Sequence, residues 1–304
     1  MSKKWFCKYF GETTIERWLC SLGLFFFSLP LSAISVENPY IASLYENKMV
    51  FCREEICPCE FTFRAGFTGD YIFNRHLQVS SGLGKPDIRS TEIYSNLGFV
   101  DFNMWDQVDV FALFGTATIT SEFTESAFNP VPSSIGGVVV NDTVTLRMAT
   151  NWAWGIGLRA SFWQWCNFCF GVEGAYYYTN PNVQSVSADN LSLNTSYLKG
   201  VSFKYHEWLI ALGTTYPFCL DETWQLLPYL SAVWNPARVA LGDATVTFAD
   251  GANTSTITLT DMQQQRAWGY AIGMTLLASE AFSMTLEGRF VNERAFAFNT
   301  QILF

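Results

Sequence analysis

Eight cysteines and two histidines are the residues whose types could do chemistry outright; Cys7 and Cys20 fall in the N-terminal segment read below as an export signal, which leaves six. "CPC", with Cys57 and Cys59, and "CNFC", with Cys166 and Cys169, have spacings that could suit a metal. No nearby histidine completes either set, since His76 and His206 stand far from both, so no metal and no other cofactor is expected. With Cys52 and Cys219 these cysteines are candidates for disulfides, which an oxidising compartment favours. His206 precedes Glu207 in "YHEW", but neighbours on a strand point to opposite faces, so the two cannot act as a pair. His76 has no evident partner. What remains is a scatter of single charges, Arg64, Asp70, Arg159, Glu173, Glu287 and Arg289, each set inside an otherwise apolar stretch. The elements that carry them decide what those charges can do.

Residues 1–33 read as an export signal. A long basic segment with Lys3, Lys4, Lys8 and Arg17 leads into the short apolar core "LCSLGLFFFSLPL", and Ala33 offers a small residue for cleavage. That core is too short to span a bilayer as a helix. Removing the signal takes four of the 18 Lys/Arg and two of the 27 Asp/Glu, leaving 14 against 25 and a net charge of −11. Such a balance disfavours nucleic acid as a partner, because phosphate binding needs clustered Lys and Arg. Disorder is disfavoured too, with 17% aromatic and only 15% charged residues. Past the signal there is no unbroken apolar run of helical membrane length.

The apolar residues alternate instead. In "NWAWGIGLRASF", Trp152, Trp154, Ile156, Leu158 and Phe162 share one phase, while Ala153, Gly155, Gly157, Arg159 and Ser161 share the other. "FCFGVEGAYYY", "AWGYAIGMTL", "AFSMTLEGRF" and "FTFRAGFTGDYIFNRHLQV" repeat the pattern. Ten segments read as strands, near 60–79, 89–104, 107–121, 150–163, 168–179, 201–216, 224–240, 265–277, 281–290 and 294–304. Two of them, 89–104 and 107–121, alternate poorly, and their phase stays open.

A soluble sandwich would make the apolar phase a core of Val, Ile and Leu and leave the other phase free to take Lys and Glu. A membrane barrel turns the apolar phase to lipid, crowds aromatics at its ends and keeps a small or polar lumen. Here the second phase is mostly Gly, Ala, Ser and Thr with sparse charges of both signs. The reading is therefore all-β, a transmembrane antiparallel up-and-down β-barrel of the outer membrane, with domains 1–33 (signal), 34–59 (a cysteine-bearing periplasmic segment) and 60–304 (barrel). Lipid at mid-depth costs an Arg or Lys roughly 2–4 kcal/mol. That cost sends Arg64, Asp70, Arg159, Glu173, Glu287 and Arg289 inward, as wall-to-wall ion pairs or as determinants of ion selectivity. The many inward Gly and Ala point to an open interior.

The last stretch, "AFAFNTQILF", reads as a closing strand. With Phe304 on the periplasmic side, the tight connections "MWDQ", "WQWCNF", "FCLDET" and "ASE" fall on that side as well. The long stretches "EFTESAFNPVPSSIGG", "NPNVQSVSADNLSLNTSY" and "GDATVTFADGANTSTITLTDMQQQ" face outward, and "ADGAN" signals a hairpin above the membrane. All six cysteines then gather at the periplasmic rim, with the pairing among fifteen connectivities left open.

Several of these stretches together resemble the major outer membrane protein family of the chlamydiae, including its porin B relatives. "FRAGFTGDYIFNRHLQV" looks like that family's first strand and "FNMWDQVDVFALFGTAT" like its second hairpin. "WAWGIGLRASFWQWCNFCFGVEGAYYY", "FKYHEWLIALGTTYPF", "LPYLSAVWNPARVAL", "AIGMTL" and "LEGRFVNERAFAFNTQILF" follow in the same order over residues 50–304. Shorter outer loops and fewer cysteines than the prominent members suggest a divergent or minor paralogue. The resemblance implies a trimeric outer-membrane porin, disulfide-linked to partners in the envelope, with surface loops exposed, and would carry the strand count to twelve or sixteen. It also makes Phe304 resemble the signal by which such barrels are recognised for assembly. The function so implied is passive diffusion of ions and small hydrophilic solutes with a structural role in the envelope and no enzymatic step. A non-conducting structural or adhesive barrel and an outer-membrane barrel hydrolase are the competing readings.

Overall fold

The structure, a computed structural model, describes residues 61–80, 88–104, 107–124, 134–135, 138–139, 143–165, 168–188, 196–197, 202–220, 224–241, 244–250, 253–259, 261–278, 282–291 and 293–304. The signal, the 34–59 segment, and Cys52, Cys57, Cys59 and Cys166 lie outside those residues, as do most of the first long outward stretch and parts of the other two.

Ten long strands build the wall: β1 (Phe61–Arg75), β2 (Ile88–Met104), β3 (Val108–Thr124), β4 (Asn151–Trp165), β5 (Phe168–Thr179), β6 (Lys204–Thr215), β7 (Trp224–Trp234), β8 (Trp268–Ala278), β9 (Phe282–Phe290) and β10 (Glu293–Leu303). Each pairs antiparallel with the next. β10 then pairs with β1, from Arg64–Leu303 to Arg75–Glu293, and the circuit closes. A closed circuit leaves no backbone edge unpaired in lipid, which is why a strand protein can cross a membrane at all. All ten segments read from the sequence recur with their ends moved by a few residues, and the count is ten rather than twelve or sixteen.

The exposure pattern follows the two sequence phases. Trp152, Trp154, Ile156 and Leu158 on β4 are exposed, Trp152 at 63%, while Arg159 on the other phase is 2% exposed. Trp208, Ile210 and Leu212 on β6 and Trp268, Ile272 and Met274 on β8 repeat this. A band of large apolar side chains exposed all round a closed barrel is what a lipid-facing wall requires. Aromatics gather in two belts: Phe73, Trp152, Trp208, Trp268 and Phe290 near one rim, and Phe63, Phe102, Trp165, Phe218 and Phe304 near the other. β2 and β3, ambiguous in sequence, bury Ile93, Leu97, Phe99, Phe111, Leu113 and Ile119 on the inner face and expose Val100, Phe102, Val110 and Phe114 on the outer. Their pattern failed because both faces are apolar.

Met104–Val108, Trp165–Phe168, Phe218–Leu226, Ala278–Phe282 and the end of β10 all fall at one rim. At the opposite rim short strands prolong the wall: Leu77–Val79 after β1, Thr143–Met148 before β4, Val183–Ala188 after β5, Ala237–Ala240 after β7 and Met262–Gln264 before β8. β9 and β10 stop short, joined at Val291, whose φ is 91°. Above that turn Met262–Gln264 pairs directly with Leu77–Val79, so two strands drop out of the circuit. The "ADGAN" hairpin is present, Ala244–Asp250 pairing with Asn253–Leu259.

Candidate functional site

The inner wall carries its charges in two groups. Toward the rim of tight turns, Arg64 on β1 reaches Asp101 on β2 at 2.8 Å and also Asp109 on β3. Arg159 on β4 meets Glu173 on β5 at 3.1 Å and Asp109 at 3.4 Å, with its guanidinium 5.1 Å from the Phe111 ring. Asn103 donates to Asp109 at 2.6 Å. Strand register makes this row: Arg64 stands opposite Asp101, Asp109 opposite Arg159, and Arg159 opposite Glu173. Cross-strand neighbours of opposite sign on one face attract.

The second group sits at the level where the wall loses two strands. Arg75, at the end of β1, places two guanidinium nitrogens on Glu207 of β6 at 2.7 and 2.9 Å, and its Nε on Gln264 Oε1 at 2.9 Å. It also donates to Asn235 and lies 3.4 Å from Glu293. β1 and β6 are five places apart in a ring of ten, so this ion pair spans the lumen. Glu207 further accepts from Tyr205 and Asn235. Arg289 on β9 binds Asp70 on β1 and stands 3.3 Å from Glu293 and 3.8 Å from Glu287, which accepts from Tyr229 at 2.6 Å. Bidentate geometry and several carboxylates per arginine satisfy most of the fork, as burial of a guanidinium requires.

All six charges expected on the inner phase are there, Arg64, Asp70, Arg159, Glu173, Glu287 and Arg289, each at most 8% exposed. Five more join them: Arg75, Asp101, Asp109, Glu207 and Glu293. Arg75 escaped because the β1–β10 register shifts between Ile72 and Asn74, which turns Arg75 inward out of phase. Asp101 and Asp109 were hidden in the two strands with apolar residues on both faces. Glu207 was legible, since Trp208, Ile210 and Leu212 mark the outer phase of its strand. Glu293 follows the turn at Val291.

The inward glycines do not leave the interior open. A Cβ on Gly157 would collide with the Phe111 ring, and one on Gly273 with the Tyr229 ring. The missing side chains admit large aromatics from the neighbouring wall, which fill the space over the glycines. Outward of the second charged group the inner face is packed with Leu77, Ile119, Phe123, Leu146, Val239 and Met262. A cavity of about 30 Å³ remains mid-barrel beside Asp70, Ser95, Arg159, Glu173, Tyr177 and Glu207, enough for roughly one or two waters.

His206 lies on the outer face, its Nδ1 2.7 Å from the Tyr176 hydroxyl, and Glu207 lies inside, so the pair is divided as strand geometry demands. Cys169 is buried on the inner face beside Leu227 and Leu277 at the rim of tight turns, and half-buried Cys219 stands at the same rim. The backbone N–H of Phe304 donates to Phe63 at 3.0 Å, and the two rings are 6.1 Å apart.

A family model described as Chlamydia major outer membrane protein matches residues 229–304. The major outer membrane porin of Chlamydia abortus is 26% identical to this chain, covering 91% of it and 96% of the relative. That of Chlamydia pneumoniae is 25% identical, over 87% and 92%. The resemblance read from the sequence is borne out by both comparisons. Among solved structures, the outer membrane protein OprG of Pseudomonas aeruginosa is similar with 10% identity and a TM-score of 0.30, over 80% of this chain and 95% of that one, a likeness too slight to argue from.

Proposed function

We propose that this barrel is a porin-like channel of the outer membrane which passes small ions, cations ahead of anions, through a narrow bore lined by paired charges. Its place is the outer membrane, and relatives over most of its length are named as porins. The observation that carries the reading is the charge of the inner wall. Among the described residues it holds four arginines, Arg64, Arg75, Arg159 and Arg289, against seven carboxylates, Asp70, Asp101, Asp109, Glu173, Glu207, Glu287 and Glu293, an excess of three negative charges when all are ionised. A ring of net negative charge in a narrow bore favours cations. Ten strands stand between the eight whose interior side chains fill and the sixteen or more that leave a wide aqueous channel, which supports ions rather than larger solutes.

Planar bilayers test this. Stepwise currents with a reversal potential displaced toward the cation in a potassium chloride gradient are expected; silence over many insertions would refute it. A non-conducting structural barrel is the second reading, favoured by the Arg75–Glu207 pair across the lumen and the apolar packing outward of it. Disulfide linkage through Cys52, Cys57, Cys59, Cys166, Cys169 and Cys219, within the chain or to envelope partners, is part of the proposal, as is trimeric association. Non-reducing gels should show cross-linked species that a reductant collapses. Phe304, tied to β1 at the closing seam, is proposed as the assembly signal; Phe304→Ala should lower the yield of folded barrel.

A further inference from the structure

The outer face of the wall carries an arc of cations that the lumen chemistry does not use. Lys204 on β6, Arg238 after β7, Arg266 before β8 and Arg294 on β10 are all exposed and lie near one rim. Register sets them side by side. Arg238 stands opposite His206, two residues from Lys204, and opposite Gln263, three residues from Arg266. Gln265 N–H donates to the His76 carbonyl at 2.9 Å, and Arg294 stands opposite Asn74, so Arg266 and Arg294 flank the end of β1. Neither Lys204 nor any of the three arginines is ion-paired with a described residue. The one described outer-face carboxylate near them, Asp261, accepts the Leu241 N–H at 3.0 Å.

Directly beneath, toward mid-membrane, the same strands expose Trp208, Trp268 and Phe296, the intervening β9 exposes Phe290, and Trp234 lies 6.5 Å from Trp268. The opposite arc differs. There Arg89 and Arg147 are interspersed with Glu92 and Glu122. Guanidiniums with no ion-pair partner among the described residues, set above aromatic side chains at the depth where lipid tails end and head groups begin, match an anionic head group above and acyl chains below. The rim is the one that carries the long outward stretches, so the head groups it meets are those of the outer leaflet.

We propose that Lys204, Arg238, Arg266 and Arg294 form a docking arc for the phosphate groups of an outer-leaflet glycolipid. Planar guanidiniums grip phosphate bidentately, which a lone ammonium cannot. The arc holds lipid whether or not the bore conducts.

The test uses the full mature chain in phosphatidylcholine vesicles carrying lipid A with both phosphates, or the same lipid A dephosphorylated. The readouts are the lipid retained per barrel after mild detergent extraction and the temperature of the heat-modifiable gel shift. The wild type should retain phosphorylated lipid A and gain thermal resistance from it. The Arg266→Gln/Arg294→Gln variant should bind it roughly 25-fold more weakly, about five-fold per cation removed. In pure phosphatidylcholine its shift temperature should equal that of the wild type, which shows that it folds. Arg89→Gln/Arg147→Gln should retain lipid as the wild type does. Equal retention by the arc variant, equal retention of dephosphorylated lipid A, or equal protection by inorganic phosphate alone would each overturn the proposal.

Discussion

Arg75 offers the sharpest perturbation. Its side chain is 0% exposed and Glu207 and Glu293 are as deeply buried, so solvent screens none of these interactions. Arg75→Met keeps the stem and removes the guanidinium, leaving Glu207 without its bidentate partner and Glu293 with Arg289 alone. Losing one member of a buried pair costs about 3–5 kcal/mol, mostly because the remaining charge stays buried and uncompensated. Glu207→Gln alone removes one charge but keeps an acceptor for Tyr205 and Asn235, so it should cost less. In the double variant the uncompensated charge at residue 207 is gone, and the loss should fall below the sum of the two singles by about 1–3 kcal/mol. Urea unfolding of the refolded barrel in lipid vesicles, followed by tryptophan fluorescence, measures all three. A cost under about 1 kcal/mol for Arg75→Met, or strict additivity in the cycle, would refute the view that this pair ties β1 to β6 across the lumen.

Gly157→Val should destabilise by about 1–3 kcal/mol in the same assay, because its side chain must displace the Phe111 ring on which Arg159 rests. Ile210→Arg, on the outer face between Trp208 and Leu212, should cost roughly 2–4 kcal/mol in a bilayer, and much less in a detergent that lets the side chain reach water. Arg159→Gln removes a positive charge from the inner wall while Asp109 and Glu173 remain, so the reversal potential in a salt gradient should move further toward the cation. An unchanged value would mean that these charges serve only to pair with one another.

Much of the architecture was legible because a strand's side chains alternate with a period of two residues, which is a local property. Trp152 to Leu158 and Trp268 to Met274 declare their outer faces without reference to any other strand. The high cost of charge in lipid then sends Arg159, Glu173 and Arg289 inward. β2 and β3 resisted this reading because their inner face is apolar too, with Phe99 and Phe111 filling the space over glycines on neighbouring strands. Inward glycines were misread for the same reason: a single strand does not tell which ring lies over its gaps.

Sequence alone therefore determined that the chain forms an antiparallel barrel with an apolar exterior, which residues of the clearly alternating strands face each way, and which rim holds the tight turns. Tertiary structure decided the number of strands in the circuit, the register that lines up Arg64, Asp101, Asp109, Arg159 and Glu173, and the meeting of Arg75 with Glu207. The physical reason is closure. Residues 132 positions apart become neighbours only when the ring completes, and the irregularity between Ile72 and Asn74 that aims Arg75 inward is visible only in the pairing of β1 with β10.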